Sequence, residues 1–164
     1  MIEKCRRHPI YRFLRFAYFA VLNPIKRAYF YLFQPETRGA KVVVTHQGKV
    51  LLVRPGYAHK RWTWPGGGAE RGESFEAAAV REIYEETRIR LPGVSAIGEK
   101  FSTRNHNRDT TRYFTAESLD AHVIIDDQEI IDAGWFSRDA LPEDRVPRVD
   151  EALAMYDEHL KRHA

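Results

Sequence analysis

Cysteine is nearly absent: Cys5 is the only one among 164 residues. One thiol builds no internal disulfide, so the chain is expected in a reducing, cytoplasmic setting. Cys5 stands in a basic stretch without a glycine loop beside it, which argues against a nucleophilic role. Long apolar runs are also missing. In the N-terminal region the longest uncharged stretch, Phe16 to Ile25, is about half of what a bilayer span requires. Arginines interleave the apolar residues around it and no small-residue cleavage site follows, so it does not read as a secretory signal. There is no internal repeat and no low-complexity tract.

Acidic residues are scarce at one end. Residues 1–40 hold eight Lys/Arg against two Glu, a balance of +6, while the rest of the chain carries −3. The basic character therefore belongs to an N-terminal arm, residues 1–38, and is not a field spread over the main domain, residues 39–164. Within the arm, residues 8–34 are dense in Tyr and Phe and read as two short helices broken near Asn23-Pro24. Two readings stay open. The arm packs as an amphipathic pair on the domain or on a second copy of it, or it lies peripherally on an anionic membrane surface. Nucleic-acid binding would call for a denser basic stripe.

From residue 39 the texture is that of a folded domain of mixed elements. Strands are predicted over 41–46 and 49–53, joined by a Gln47-Gly48 turn, and near 94–101, 111–117, 121–125 and 131–136. Helices are predicted over Phe75 to Thr87 and near Val149 to Leu160. Strands mixed with helices, without regular βαβ alternation, indicate an α+β fold.

The helix from Phe75 carries the chemistry. Ser74 is a good N-cap, and Glu76 suits the positive end of the dipole. Val80, Ile83, Tyr84 and Thr87 share one face, expected to pack on the sheet. Glu82, Glu85 and Glu86 fall together on another. Like charges at this spacing repel by about 0.2–0.5 kcal/mol per pair, and the last turn disfavours anions. A hard divalent cation, Mg²⁺ or else Mn²⁺, reverses both effects. A solvated glutamate-rich face is the plainer alternative. Immediately upstream, Trp64-Pro65-Gly66-Gly67-Gly68 is a loop whose backbone can approach phosphate oxygens closely.

Gly67, five residues, Glu73, seven residues, then Arg81-Glu82-Ile83-Tyr84-Glu85-Glu86-Thr87-Arg88-Ile89 resembles the Nudix box. Every defined position matches except one, where Arg88 stands in place of glycine. The similarity extends over roughly residues 40–142, through Leu51 to Arg54, Trp62, and the Glu129-Ile130, Trp135-Phe136 and Leu141-Pro142 pairs. The resemblance implies an α/β/α sandwich around a mixed central sheet, beside the helical arm. It implies a metal-dependent pyrophosphohydrolase that attacks a nucleoside diphosphate linked to another moiety, of the nucleoside triphosphate, nucleotide sugar or ADP-ribose type. Carried over residue by residue, Glu82, Glu85, Glu86 and the Gly67 carbonyl hold the metal, and Glu73 with Arg81 orders the loop against the helix. Glu86, Glu85 and, more loosely, Glu129 do the catalytic work, with Glu86 or Glu129 accepting the proton. A non-glycine residue at a left-handed helix cap costs roughly 1 kcal/mol, so Arg88 is expected to alter the helix end locally.

Selectivity resides outside the box. Arg54 and Trp62 before it, and Arg104 and Arg112 after it, are candidates to clamp phosphate or stack on a base. Tyr57, His59, Lys60, Arg61, His106, Asn107 and Arg108 belong to the same wider set. The competing reading is a nucleotide-binding or sensing module of the same fold without turnover, which loss of box glutamates would favour. All of them are present.

Overall fold

A computed structural model describes residues 36–56, 60–103, 108–125 and 129–163. The chain divides into two units. Thr37–Phe101 with Asp109–Ala164 is the one treated below, and Met1–Glu36 with Ser102–Arg108 falls almost wholly outside the described residues. The expected arm helices over 8–34 therefore lie outside them, as do Tyr57, His59, Arg104, His106 and Asn107. Among the described residues no helix is long and apolar enough to cross a membrane.

The elements run β1 (Glu36–His46), β2 (Lys49–Pro55), α1 (Phe75–Thr87), β3 (Ser95–Ser102), β4 (Arg108–Glu117), β5 (Ile130–Ser137) and α2 (Pro147–His163). They form one five-stranded sheet in the order β3-β4-β1-β2-β5. The pairs β1–β2 and β2–β5 are antiparallel. Thr37 reaches Asp109, the Val43 carbonyl accepts from Thr115, and Ser118 donates to the Thr45 carbonyl, so partner numbers rise together and β1 runs parallel to β4. The sheet is mixed, as expected. The β1–β2 turn uses left-handed angles at both Gln47 and Gly48, the geometry that suits a two-residue hairpin.

Alternation along the strands builds two cores. Val42 and Val44 on β1 and Leu51 on β2 meet Phe75, Ala78, Ala79 and Ile83 of α1. Val43, Val50 and Leu52 face the other way, toward Trp62, Trp64, and Val149 and Ala152 of α2. Period-two side chains on a sheet with a helix against each face make the α/β/α sandwich. The piece 121–125, expected as a strand, is irregular. The helix end and an indole take up its backbone instead of a neighbouring strand. Ile124 donates to the Thr87 carbonyl, and the Ala121 carbonyl accepts from Trp135 Nε1.

One feature of the sheet creates the site. The register of β1 with β2 is Thr45↔Val50 and His46↔Lys49, next to the turn. Farther out, residues 63–68 lie between the strands. Thr63 exchanges both backbone hydrogen bonds with Val53 of β2, and Val42 and Ala40 of β1 donate to the carbonyls of Pro65 and Gly67. The segment is thus held as a short strand-like insert, bonded to β2 at Thr63 and to β1 at Pro65 and Gly67.

Candidate active site

Helix α1 starts and stops where its residues dictate. Ser74 is extended and its hydroxyl accepts the Ala77 N–H at 3.1 Å. The buried face is Phe75, Ala78, Ala79, Ile83, Glu86 and Thr87. This is rotated from the expected one. Tyr84 is exposed, and the guanidinium groups of Arg88 and Arg90 lie over its ring, at 5.4 and 4.7 Å. Ala78 and Ala79 let the helix settle closely on the valines of β1, and that contact, more than bulk at Val80 and Tyr84, sets the helix rotation. The rotation carries Glu86 inward, to 7% exposure.

Glu86 meets the glycine loop there. Gly66 N–H donates to Glu86 Oε2 at 2.8 Å. Burial pushes the Glu86 carboxyl up to about 7, with Glu82 and Glu129 adding to the rise, while Lys41 and the Gly66 N–H oppose it. Gly66 has φ of +122°, and a Cβ there would stand 2.3 Å from the Ala40 carbonyl oxygen, so only glycine fits. Gly67 is restricted differently. A Cβ on it would fall 2.4 Å from Oε2 of Glu82, so loop and helix carboxylate are in direct contact.

Lys41 completes this corner. It is the one charged residue in the run Lys41-Val-Val-Val-Thr-His46, and its ammonium donates to the Gly66 carbonyl. Burial lowers its pKa, against the attraction of Glu86 and Glu82. The Gly67 carbonyl, expected to face a metal, accepts the Ala40 N–H at 2.9 Å. The loop carbonyl turned toward a cation is that of Gly66.

Arg81 organises the other acids. Its Nε and Nη2 donate to the two oxygens of Glu73, both at 2.9 Å. Nη1 donates to Glu82 at 2.8 Å and Glu85 at 3.0 Å, and Nη2 also reaches the Gly68 carbonyl. The fork from Arg81 holds the Glu73 carboxyl down at about 2, helped by the Glu70 N–H. Burial raises Glu82, opposed by Arg81. Through these bonds Glu73 and Arg81 tie the loop to the helix.

The helix end differs from expectation. Arg88 itself takes the left-handed cap, with φ 60° and ψ 8°, and its N–H donates to the Tyr84 carbonyl at 2.9 Å. Thr87 closes the last turn by donating to the Ile83 carbonyl and accepting from the Ile89 N–H. The cap is that of a glycine-ended helix. The stacking of Arg88 on Tyr84 offsets the backbone strain.

Glu129 is exposed, next to Gly56, whose N–H donates to its carbonyl at 2.7 Å, and its charge reaches Glu86. The selectivity candidates are dispersed. Trp62 is buried, edge-on to Phe136 at 4.9 Å, with Arg54 over its ring at 4.8 Å. Arg54 also pairs with Asp144 at 2.7 Å, and its buried Nε has no hydrogen-bond partner among the described residues. Both Trp62 and Arg54 thus take part in packing. Arg112 donates to Glu99 at 2.9 Å and shares the Phe75 ring with Arg38, so it braces the start of α1.

The donor set suits a hard divalent cation: three glutamates and a backbone carbonyl, all oxygen. Among the described residues no three His, Cys, Asp or Glu side chains stand close enough to hold one ion as they are. The reason is visible in the bonds. Arg81 draws Glu82 and Glu85 one way, and Gly66 holds Glu86 another. The contact of Glu82 with Gly67 and of Glu86 with Gly66 nonetheless brings two of the carboxylates onto the same loop.

Comparison with known proteins places this geometry. Residues 35–156 match the family model described as NUDIX domain. A protein of Pseudomonas aeruginosa (strain LESB58) named "NAD-capped RNA hydrolase NudC" is 35% identical over 102 residues, which is 62% of this chain and 36% of that one. The chain thus spans about a third of the length of such relatives. A Bacillus subtilis (strain 168) protein named "Putative 8-oxo-dGTP diphosphatase" is 32% identical over 111 residues, 68% of this chain and 73% of that one. Among solved structures, a MutT NUDIX hydrolase from Burkholderia pseudomallei superposes with a TM-score of 0.67 at 23% identity, covering 74% of this chain and 98% of that one. A MutT protein from Methanosarcina mazei Go1 does so at 0.64 and 21%, covering 77% and 97%.

Proposed function

Because the chain belongs to the NUDIX domain family, we propose that it is a pyrophosphohydrolase, opening the phosphoanhydride of a nucleoside diphosphate linked to another moiety. The observation that carries this reading is the meeting of Glu82 and Glu86 with the loop Gly66-Gly67, from one buried helix edge. Glu82, Glu85, Glu86 and the Gly66 carbonyl would hold Mg²⁺ or Mn²⁺. Such an ion, when bound, neutralises phosphate oxygens and lowers the pKa of water.

The chain's own residues do the rest. Arg81 keeps Glu82 and Glu85 oriented and fixes the loop through Glu73 and the Gly68 carbonyl. The insert of residues 63–68 between β1 and β2 makes the loop rigid, so substrate phosphates meet a preformed backbone. Glu86 is committed to Gly66, which leaves exposed Glu129 to accept the proton of the attacking water.

The test is a Mg²⁺-dependent hydrolysis screen. It covers nucleoside triphosphates, 8-oxo-dGTP, nucleotide sugars, ADP-ribose, dinucleoside polyphosphates and NAD-capped RNA. Glu85→Gln and Glu86→Gln are the controls, each expected to lose at least about 100-fold in rate. No turnover of any substrate, or undiminished Gln variants, would refute the reading and leave a binding module.

A further inference from the structure

Lys41 is the charged residue that opens the valine run Lys41-Val-Val-Val of β1, and it does not belong to the acidic motif. On β1 it lies between Ala40 and Val42, and its ammonium donates to the carbonyl of Gly66. The N–H of the same residue donates to Glu86. Its charge also acts on Glu82 and Glu86, the carboxylates that touch the glycine loop. One ammonium therefore holds a carbonyl of the glycine loop while its charge bears on two acids, within the group of ligands to which the proposed function assigns a metal.

We propose that Lys41 is a resident counter-cation of the metal site. It holds the Gly66 carbonyl and balances Glu82 and Glu86, and a divalent ion must displace its ammonium to enter. Lys41 thereby sets the metal affinity of the site. A lysine serves this purpose because its ammonium is a compact charge on a flexible stem, able to leave the carbonyl and stay near the acids. The guanidinium of Arg81 is in the opposite condition, fixed by a fork to Glu73.

The inference rests on the proposed metal reading, and its test separates the two. Mn²⁺ binding to the full chain is measured by water-proton relaxation and by calorimetry, for wild type, Lys41→Met and Lys41→Gln. Met keeps the length of the stem without charge. Gln keeps a donor without charge, and it serves should Met impair folding. Both variants are expected to bind Mn²⁺ about tenfold more tightly, since a positive charge a few ångströms away is removed. Both should also gain more thermal stability from added Mn²⁺ than wild type does. A purely structural lysine would give the opposite sign, because a loosened Gly66 loop binds metal more weakly. Unchanged or weaker Mn²⁺ binding in the variants overturns the inference and leaves the metal reading standing. Absence of Mn²⁺ binding in wild type overturns the metal reading and this inference with it.

Discussion

The backbone N–H of Gly66 donates to Oε2 of Glu86 at 2.8 Å, joining the glycine loop to a carboxylate 20 residues further along the chain. That single bond does not offset the desolvation of Glu86, whose carboxyl is pushed up to about 7. A carboxyl raised above its unfolded value stabilises the fold below about pH 4.5 and loses that contribution as pH rises through about 7. At pH 8 the charged form therefore costs up to about 3 kcal/mol relative to a neutral isostere. Glu86→Gln should be more stable than wild type at pH 8 in chelator, with the gain shrinking toward pH 5. Urea denaturation at four pH values checks it. A Gln variant less stable than wild type at pH 8 would contradict the burial argument.

The adjacent glycines should fail in different ways. Gly66→Ala places a methyl 2.3 Å from the Ala40 carbonyl oxygen at a φ of +122°. Backbone cannot yield as a side chain does, so a loss of at least about 2 kcal/mol of stability is expected. Gly67→Ala meets the end of the Glu82 side chain, which can turn away. Stability should then change by less than about 1 kcal/mol, while Mn²⁺ affinity falls. Thermal melts beside Mn²⁺ titrations separate the two. Equal melting temperatures for both variants would remove the distinction.

Arg81 acts through shape as well as charge. Lys at that position keeps a cation but cannot span both oxygens of Glu73 together with Glu82 and Glu85. Arg81→Lys should lower kcat by at least about tenfold, with a smaller effect on KM, because it misplaces ligands without removing any. The Glu73 side of the fork has a pH signature. Its pKa, held down at about 2, means stability present above the ordinary value near 4.5 and lost as pH falls through about 2. Glu73→Gln should be less stable than wild type at pH 7, with the deficit narrowing in acid. A deficit independent of pH would show that the charge of Glu73 is not what matters.

Residues 67–89 disclosed the box in sequence because its spacing is local. Helix, cap and the Glu73–Arg81 pair all follow from offsets along one short segment. The boundaries Phe75–Thr87 needed only Ser74 and the left-handed cap. Lys41 is not legible as a site residue, nor is the particular role of Gly66 within its loop. Their roles arise from the parting of β1 and β2 beyond Thr45↔Val50, a tertiary event with no local signature. A lone lysine in Lys41-Val-Val-Val was the available clue. The rotation of α1 departs from the periodic expectation for a related reason. Small residues at Ala78 and Ala79 govern how closely the helix meets the sheet, and periodicity weighs bulk above closeness. Trp62 and Arg54 read as recognition residues because aromatic and guanidinium groups serve packing and binding equally well. The Phe136 and Asp144 contacts add a packing role that residue type alone does not reveal.

Arg88 tests how much the missing glycine matters. The left-handed angle at φ 60° costs a non-glycine residue roughly 1 kcal/mol. Against this stand the stacking of Arg88 on Tyr84, worth about 0.5 kcal/mol at an exposed site, and the added freedom glycine gives the unfolded chain, about 0.4–1 kcal/mol. These nearly cancel. Arg88→Gly should therefore change stability by less than about 0.5 kcal/mol, and leave Mn²⁺ binding intact, since among the described residues the bonds of Arg88 go to Tyr84. Arg88→Val keeps the strain, adds a branched Cβ that the left-handed region disfavours strongly, and loses the stack. It should destabilise by more than about 1 kcal/mol. Calorimetric melts of the three proteins decide the matter. If Gly stabilised the chain by several degrees, the Tyr84 stack would contribute nothing, and the arginine would be a tolerated defect instead of a compensated cap.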